Sequence, residues 1–196
     1  MTQTYCDYCN THPEDEFNKP YHDTQYGFPI TNDDELFERL VLEINQAGLS
    51  WILILKRAKN FRKAFHNFNI EKVAKYKEKD IERLLNDEGI IRSKLKIKAA
   101  IVNAQKIVEL KKEYGSFKKW LDFHHPLTKD EWTKLFKKTF FFTGSEIVNE
   151  FLMSTGYLSG AHVKSCPIYK KVEKKKPAWS RYVAKSKSAA TRPSKS

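Results

Sequence analysis

From Asn32 to Gly156 the chain is a run of helix-period segments separated by capping residues and glycines, with no two-residue alternation that would mark a strand. Asn32, with Glu35 three residues on, opens a helix to about Gln46. Gly48 interrupts, and Ser50 can cap the next segment, "SWILILKRAKNFRKAFHNF". Asn69 can cap "IEKVAKY", and "KDIERLLND" follows; after a turn at Gly89, a long helix ends at Gly115. "SFKKWLDFHH", "TKDEWTKLFKK" and "GSEIVNEFLMSTG" supply three more, the last stopped by Gly156. The predicted fold class is all-α, with no internal repeat.

Within the first of these helices, Leu36, Leu40, Glu43 and Ala47 fall at spacings of four, three and four, which is one helical face. Leu36 and Leu40 direct that face to the core, so Glu43 points inward as well. A buried carboxylate either finds a partner or takes up a proton. Glu43 is therefore the first candidate for a functional group.

The charge of +12 suggests an anionic partner, but its distribution weakens the inference. Residues 170–196 hold ten Lys or Arg and one Glu, leaving about +3 for the other 169 residues. That tail has the Lys, Ser, Ala and Pro content of a disordered segment, suited to electrostatic help on DNA or to solubility alone. With 40% hydrophobic residues, residues 1–169 are expected to form one domain. No run approaches a membrane span, and "MTQTYCDYCN" lacks the basic and apolar regions of a signal peptide, so a cytoplasmic protein is expected.

Three cysteines without a secretion signal argue against a disulfide framework. Cys6, Cys9 and His22 lie near one end of the ordered chain, and His162 and Cys166, four residues apart in "HVKSC", near the other. Two His and two Cys can close a tetrahedral zinc site of the structural kind, tying together segments about 140 residues apart. The stretch "LLNDEGIIRSKLKIKAA", about 84–104, reads as two helices joined by a turn, whose second N-terminus could seat a DNA phosphate. Two ordinary packed helices with a basic outer face would read the same way, and a Gly-x-Gly turn is absent.

"YHDTQYGFP", "LFERLVLEINQAGLSW", "GIIRSKLKIKAAIVNA", "FTGSEIVNEFLMSTG" and "HVKSC" occur in order and together resemble the 3-methyladenine DNA glycosylase I family, from about Cys6 to Cys166. The resemblance implies a helix–hairpin–helix glycosylase fold and hydrolysis of the N-glycosidic bond of 3-methyladenine in alkylated double-stranded DNA. It also implies a structural zinc on His22, His162, Cys166 and a fourth ligand. Cys9 keeps the family's separation from the His, whereas Cys6 keeps its Cys-x-aromatic pattern with Tyr8, and Cys6 is favoured. Tyr21, Glu43 and Trp51 match the base pocket, with Tyr26 and Tyr8 as further base-binding candidates and Glu43 as the catalytic one. Tyr26 stands where the family commonly has Trp. Leu49, Gly89, Ser93, Lys94 and Lys96 are the expected DNA contacts; Leu49, in a turn between two helices, suits a wedge into the gap left by a flipped base or ordinary packing. Asp122 is expected on the surface, outside the catalytic role that many relatives in the superfamily give to an Asp. A monomer with no obligate protein partner is expected. The competing reading is a zinc-stabilised protein that binds damaged DNA without cutting it, with Glu43 hydrogen-bonded to Tyr21 or a backbone amide.

Overall fold

The computed structural model describes residues 3–181, and among these every regular element is helical. Its centre is α3, Asp33–Gln46, on which Leu36, Phe37, Leu40, Val41 and Ile44 are completely buried. Asn32 caps α3 by accepting from the Glu35 N–H, as the sequence predicts. The carboxylate of Asp33 in turn accepts from Phe117 N and Lys118 N at 2.9 and 3.0 Å, capping the helix that crosses α3's start. Those amides have no partner within their own helix, so the bond fixes the angle between the two.

Around α3 pack α4 (Trp51–Ala64), a short α5 (Ile70–Val73), α6 (Glu78–Leu85) and the long α7 (Lys94–Tyr114). Next come α8 (Phe117–His124), α9 (Lys129–Thr139) and α10 (Ser145–Ser154). Asn69 caps its helix as read, Ser93 caps α7, and Gly115 ends α7 with a left-handed φ of 87°. Ser50 occupies the cap position of α4, but its side chain makes no capping bond. Phe117, Trp120, Trp132, Phe136, Phe140 and Phe151 form a nearly dry aromatic layer where α8, α9 and α10 meet.

Two seven-residue helices precede the first one the sequence predicts: α1 (Tyr5–Thr11), with a Thr4/Asp7 capping box, and α2 (Asn18–Thr24). At the other end, the expectation of a disordered tail from residue 170 needs correction. The helix α11 runs Pro167–Lys174, and Ile168 and Val172, four residues apart, are buried beside Cys6 and Phe28. Trp179 N then donates to Gly156 O at 3.3 Å, so the chain as far as Trp179 packs on the domain. Two apolar residues suffice to anchor a helix that bulk composition reads as solvated. The remainder of the tail lies outside the described residues. No helix of the described chain is long and apolar enough to cross a membrane.

Candidate active site and metal centre

Glu43 is 4% exposed, on the inward face of α3. Its one hydrogen-bond neighbour among the described residues is Ser154 of α10, whose Oγ lies 3.4 Å from Oε1 and only 3.1 Å from Phe151 O. A single hydroxyl proton cannot serve both acceptors, so Glu43 is weakly satisfied. Burial pushes its carboxyl up to about 8; Arg39 and Ser154 pull it down, and Glu150 pushes it further up. That shift favours the protonated carboxyl at neutral pH, in keeping with a buried carboxylate that lacks a full set of partners. A cation arriving beside it would drive the proton off.

One helical turn before Glu43, the buried Arg39 donates from Nη1 to the Tyr21 hydroxyl and lies 4.8 Å from that ring's centroid. Tyr21 is buried, 5.1 Å from Trp51 and 5.7 Å from Tyr26 between ring centroids. The sequence-predicted Tyr21, Tyr26 and Trp51 are therefore one aromatic cluster next to Glu43. The buried indole N–H of Trp51 has no partner among the described residues. Tyr21 and Trp51 line a cleft with Arg39, Leu42 and Leu55, while Glu43 lines a second cavity with Gly48, Leu49, Ser145, Ile147 and Glu150.

Tyr8 does not join this cluster. On α1, Cys6 and Cys9 define the buried face, and Tyr8 lies about 200° around the helix from Cys6. It stacks on His12 and donates to Asp15 at 2.9 Å. The ring that meets Tyr26 edge-on, 5.5 Å away, is Tyr5.

The turn after α3 carries Gly48, with φ of 78°, and Leu49, which is 37% exposed at the cavity's rim. Lys96, an expected DNA contact, instead reaches inward: Nζ donates to Asn45 O and Ala47 O at 2.8 and 2.7 Å, closing the carbonyl end of α3. Residues 86–93 join α6 to α7. The Gly89 N–H is taken by Asp87 Oδ1 at 2.8 Å rather than left for a phosphate. A Cβ on Gly89 would come within 3.0 Å of Asn60, so glycine there permits close packing on α4. Arg57 pins the same turn through Glu88 O and Ile90 O. Lys94 is exposed on the first turn of α7 beside the half-exposed Ser93 cap. Asp122 is exposed, accepting from Tyr157 at 2.8 Å.

Cys6, His22, His162 and Cys166 meet with all ligand atoms within 4.8 Å of one another, and all four are buried. Cys6 Sγ to His162 Nδ1 is 3.6 Å, and Cys166 Sγ lies 3.7 Å from His22 Nε2 and 3.8 Å from His162 Nδ1. A tetrahedral ion with the usual metal–sulfur and metal–nitrogen lengths spaces its ligands about 3.5 Å apart. The far ring nitrogens are fixed too: His162 Nε2 donates to Tyr26 O at 2.8 Å, and His22 Nδ1 to Asp23 Oδ1 at 2.7 Å. Each bond leaves a lone pair aimed at the centre. The donor set therefore suits a metal ion. Cys9 is outside it, 3.8 Å from Asn18 O.

Arg39, Ser154, Glu150 and Tyr5 are the site residues that sequence reasoning misses. Arg39 had a legible signal, since it precedes Glu43 by four residues; Glu150 and Ser154 have the same spacing on α10.

The profile of the family described as methyladenine glycosylase matches residues 10–133. DNA-3-methyladenine glycosylase 1 of Escherichia coli strain K12 is 36% identical, over 82% of this chain and 96% of its own length. DNA-3-methyladenine glycosylase of Haemophilus influenzae is 34% identical, over 75% and 89%. Among solved structures, 3-methyladenine DNA glycosylase I of Staphylococcus aureus aligns with a TM-score of 0.75 at 32% identity, covering 84% of this chain and 97% of that one. A single-substitution variant of a 3-methyladenine DNA glycosylase I, solved in complex with 3-methyladenine, aligns with a TM-score of 0.73 at 31% identity, over 82% and 96%. The chain belongs to the methyladenine glycosylase family.

Proposed function

We propose that this protein hydrolyses the N-glycosidic bond of 3-methyladenine in alkylated double-stranded DNA, holding the flipped base between the Tyr21–Tyr26–Trp51 cluster and Glu43. The observation that carries this reading is the under-satisfied Glu43 beside those rings. Methylation at N3 makes the base cationic, with N–H donors on its edge. Aromatic faces attract such a cation by about 0.5–2 kcal/mol each, and an ionised carboxylate accepts its donors. A neutral adenine offers no charge to draw the proton off Glu43 and stays stacked. When the bond to the sugar breaks, its electron pair neutralises the base, so no strong general acid is required. Glu43 orients the base and stabilises the positive charge that develops on the sugar, and water attacks.

The reading without catalysis required Glu43 to be satisfied by Tyr21 or a backbone amide. Among the described residues the one hydrogen-bond neighbour of Glu43 is Ser154, whose hydroxyl is shared with Phe151 O.

On the same reading Cys6, His22, His162 and Cys166 hold zinc. Four protein ligands leave no open position, so the ion would cross-link α1 and α2 to the segment before α11. On this reading the glycosylase domain extends past residue 169 to take in α11, with α6, the turn and α7 serving as a helix–hairpin–helix that abuts the DNA backbone through Ser93 and Lys94. Leu49 supplies the wedge. Chromatography of the bases freed from methylated duplex DNA tests the proposal: 3-methyladenine is the expected product, and no release by folded, metal-loaded protein would overturn it.

A further inference from the structure

Arg39 is a buried cation that the mechanism above does not use. It is 6% exposed on α3, and among the described residues it forms no ion pair. The adjacent Glu38 pairs with Arg62 instead, and Glu43 feels the Arg39 charge only at longer range. The one hydrogen bond of Arg39 there is donated to the Tyr21 hydroxyl, with the guanidinium carbon 4.8 Å from that ring's centroid. A guanidinium does not give up its proton inside a protein, so the charge is permanent. Burying a charge without a partner costs stability, and such groups gather where function needs them. Arg39 lines the cleft with Tyr21 and Trp51. It precedes Glu43 by about one turn of α3, roughly 6 Å along the axis. Because α3 runs on from Glu43 to the turn of Leu49, Arg39 lies at the end of the site away from that rim.

Resting on the glycosylase reading, we infer that Arg39 is a positioning residue for bond cleavage: it fixes a positive charge behind Tyr21, and that charge favours departure of the base. In the bound lesion the base itself is the cation. Cleavage breaks the bond between C1′ of the sugar and N9 of the base, and both electrons stay with the base, which leaves neutral. The positive charge passes to the sugar, where a water oxygen supplies the new pair to C1′ and its proton goes to solvent. With the duplex at the Leu49 rim, this transfer carries positive charge away from Arg39. Like charges repel, so Arg39 disfavours the bound cation more than the transition state, in which the base has lost part of its charge. An interaction of that kind raises kcat at some expense in affinity, and its removal lowers kcat and KM together. Glu43 supplies the attraction that admits the cation; Arg39 supplies the bias that moves its charge onto the sugar.

Single-turnover release of 3-methyladenine from duplex, followed against enzyme concentration at pH 6.5, tests this with wild type, Arg39→Met, Arg39→Gln and Arg39→Lys. Gln keeps an N–H for the Tyr21 hydroxyl without the charge, Lys keeps both, and Met keeps neither. Met and Gln are expected to lower the saturating rate about tenfold, less than the loss of a donor in direct contact with the reacting atoms. Their half-saturating enzyme concentration is expected to stay level or fall. Lys is expected to recover most of the rate. The Gln and Lys variants carry the test should the Met variant fail to fold. A Gln variant as fast as wild type would mean that Arg39 only holds the Tyr21 hydroxyl, and overturns the inference. A Lys variant as slow as Gln overturns it as well, as does a loss that appears as a higher half-saturating concentration. Release of no base by wild type instead removes the glycosylase reading on which it rests.

Discussion

Replacing Glu43 by Gln is expected to stabilise the fold, and to do so only as the pH rises. In the folded protein burial holds the Glu43 carboxyl at about 8 against an ordinary 4.5. Its folded pKa is therefore above its unfolded one, so the native state binds the extra proton and stability falls as pH climbs between those values. Below about 4.5 wild type carries no such penalty. At about 1.4 kcal/mol per pH unit, the cost reaches about 3 kcal/mol at pH 7 and levels off near 5 kcal/mol above pH 8. Gln is neutral throughout and fills the same space, so its pH profile lacks this slope. Urea unfolding of both proteins at pH 5, 7 and 8.5 gives the difference directly. Titration of the cysteines and histidines is common to the two proteins and cancels. The variant should match wild type to within a constant offset at pH 5 and gain several kcal/mol by pH 8.5. A difference that does not change with pH would mean that Glu43 is well solvated or well paired, and would refute the argument that it is held ready for a cation.

Cys6→Ser should abolish stoichiometric zinc and lower the melting temperature, whereas Cys9→Ser should keep the metal; elemental analysis of the two purified variants decides between them. Lys96→Met removes two charge-assisted bonds to the end of α3 and should cost roughly 2 kcal/mol in chemical denaturation. Because those carbonyls precede the turn of Leu49, activity on duplex should also drop, and a wild-type stability would argue that Lys96 points to DNA after all. Leu49→Ala should slow release from duplex about tenfold, equivalent to about 1.4 kcal/mol, with a smaller effect on single-stranded DNA, where no gap needs filling.

The helical course was legible because caps and glycines mark nearly every boundary from Asn32 to Gly156. The start of the chain was not: α1 and α2 are seven residues each, too short for periodicity to register, although Thr4 and Asp7 form a capping box. Tyr8 was placed in the pocket by the Cys-x-aromatic pattern of the resemblance, with no helix to say which way the ring faces. Once α1 is a helix with Cys6 and Cys9 inward, Tyr8 must face away and Tyr5 can reach Tyr26. Glu43 was legible because its helical face includes Leu36 and Leu40. Lys96 misled because a lysine near a helix start is as able to cap a neighbouring helix as to meet a phosphate, and only the packing of α7 on α3 distinguishes the two. Glu150 was hidden for a similar reason: its meaning depends on which helix faces α10, a relation that no local pattern encodes.

The most direct test of the account is single-turnover release of base from 3-methyladenine-containing duplex by wild type and Glu43→Gln, both metal-loaded and shown to be folded. The account predicts rapid release of 3-methyladenine by wild type and a loss of about 100-fold or more in the variant, in line with removal of one preorganised electrostatic group. Equal rates would contradict it, leaving Glu43 a core residue and the catalysis to be sought elsewhere in the pocket.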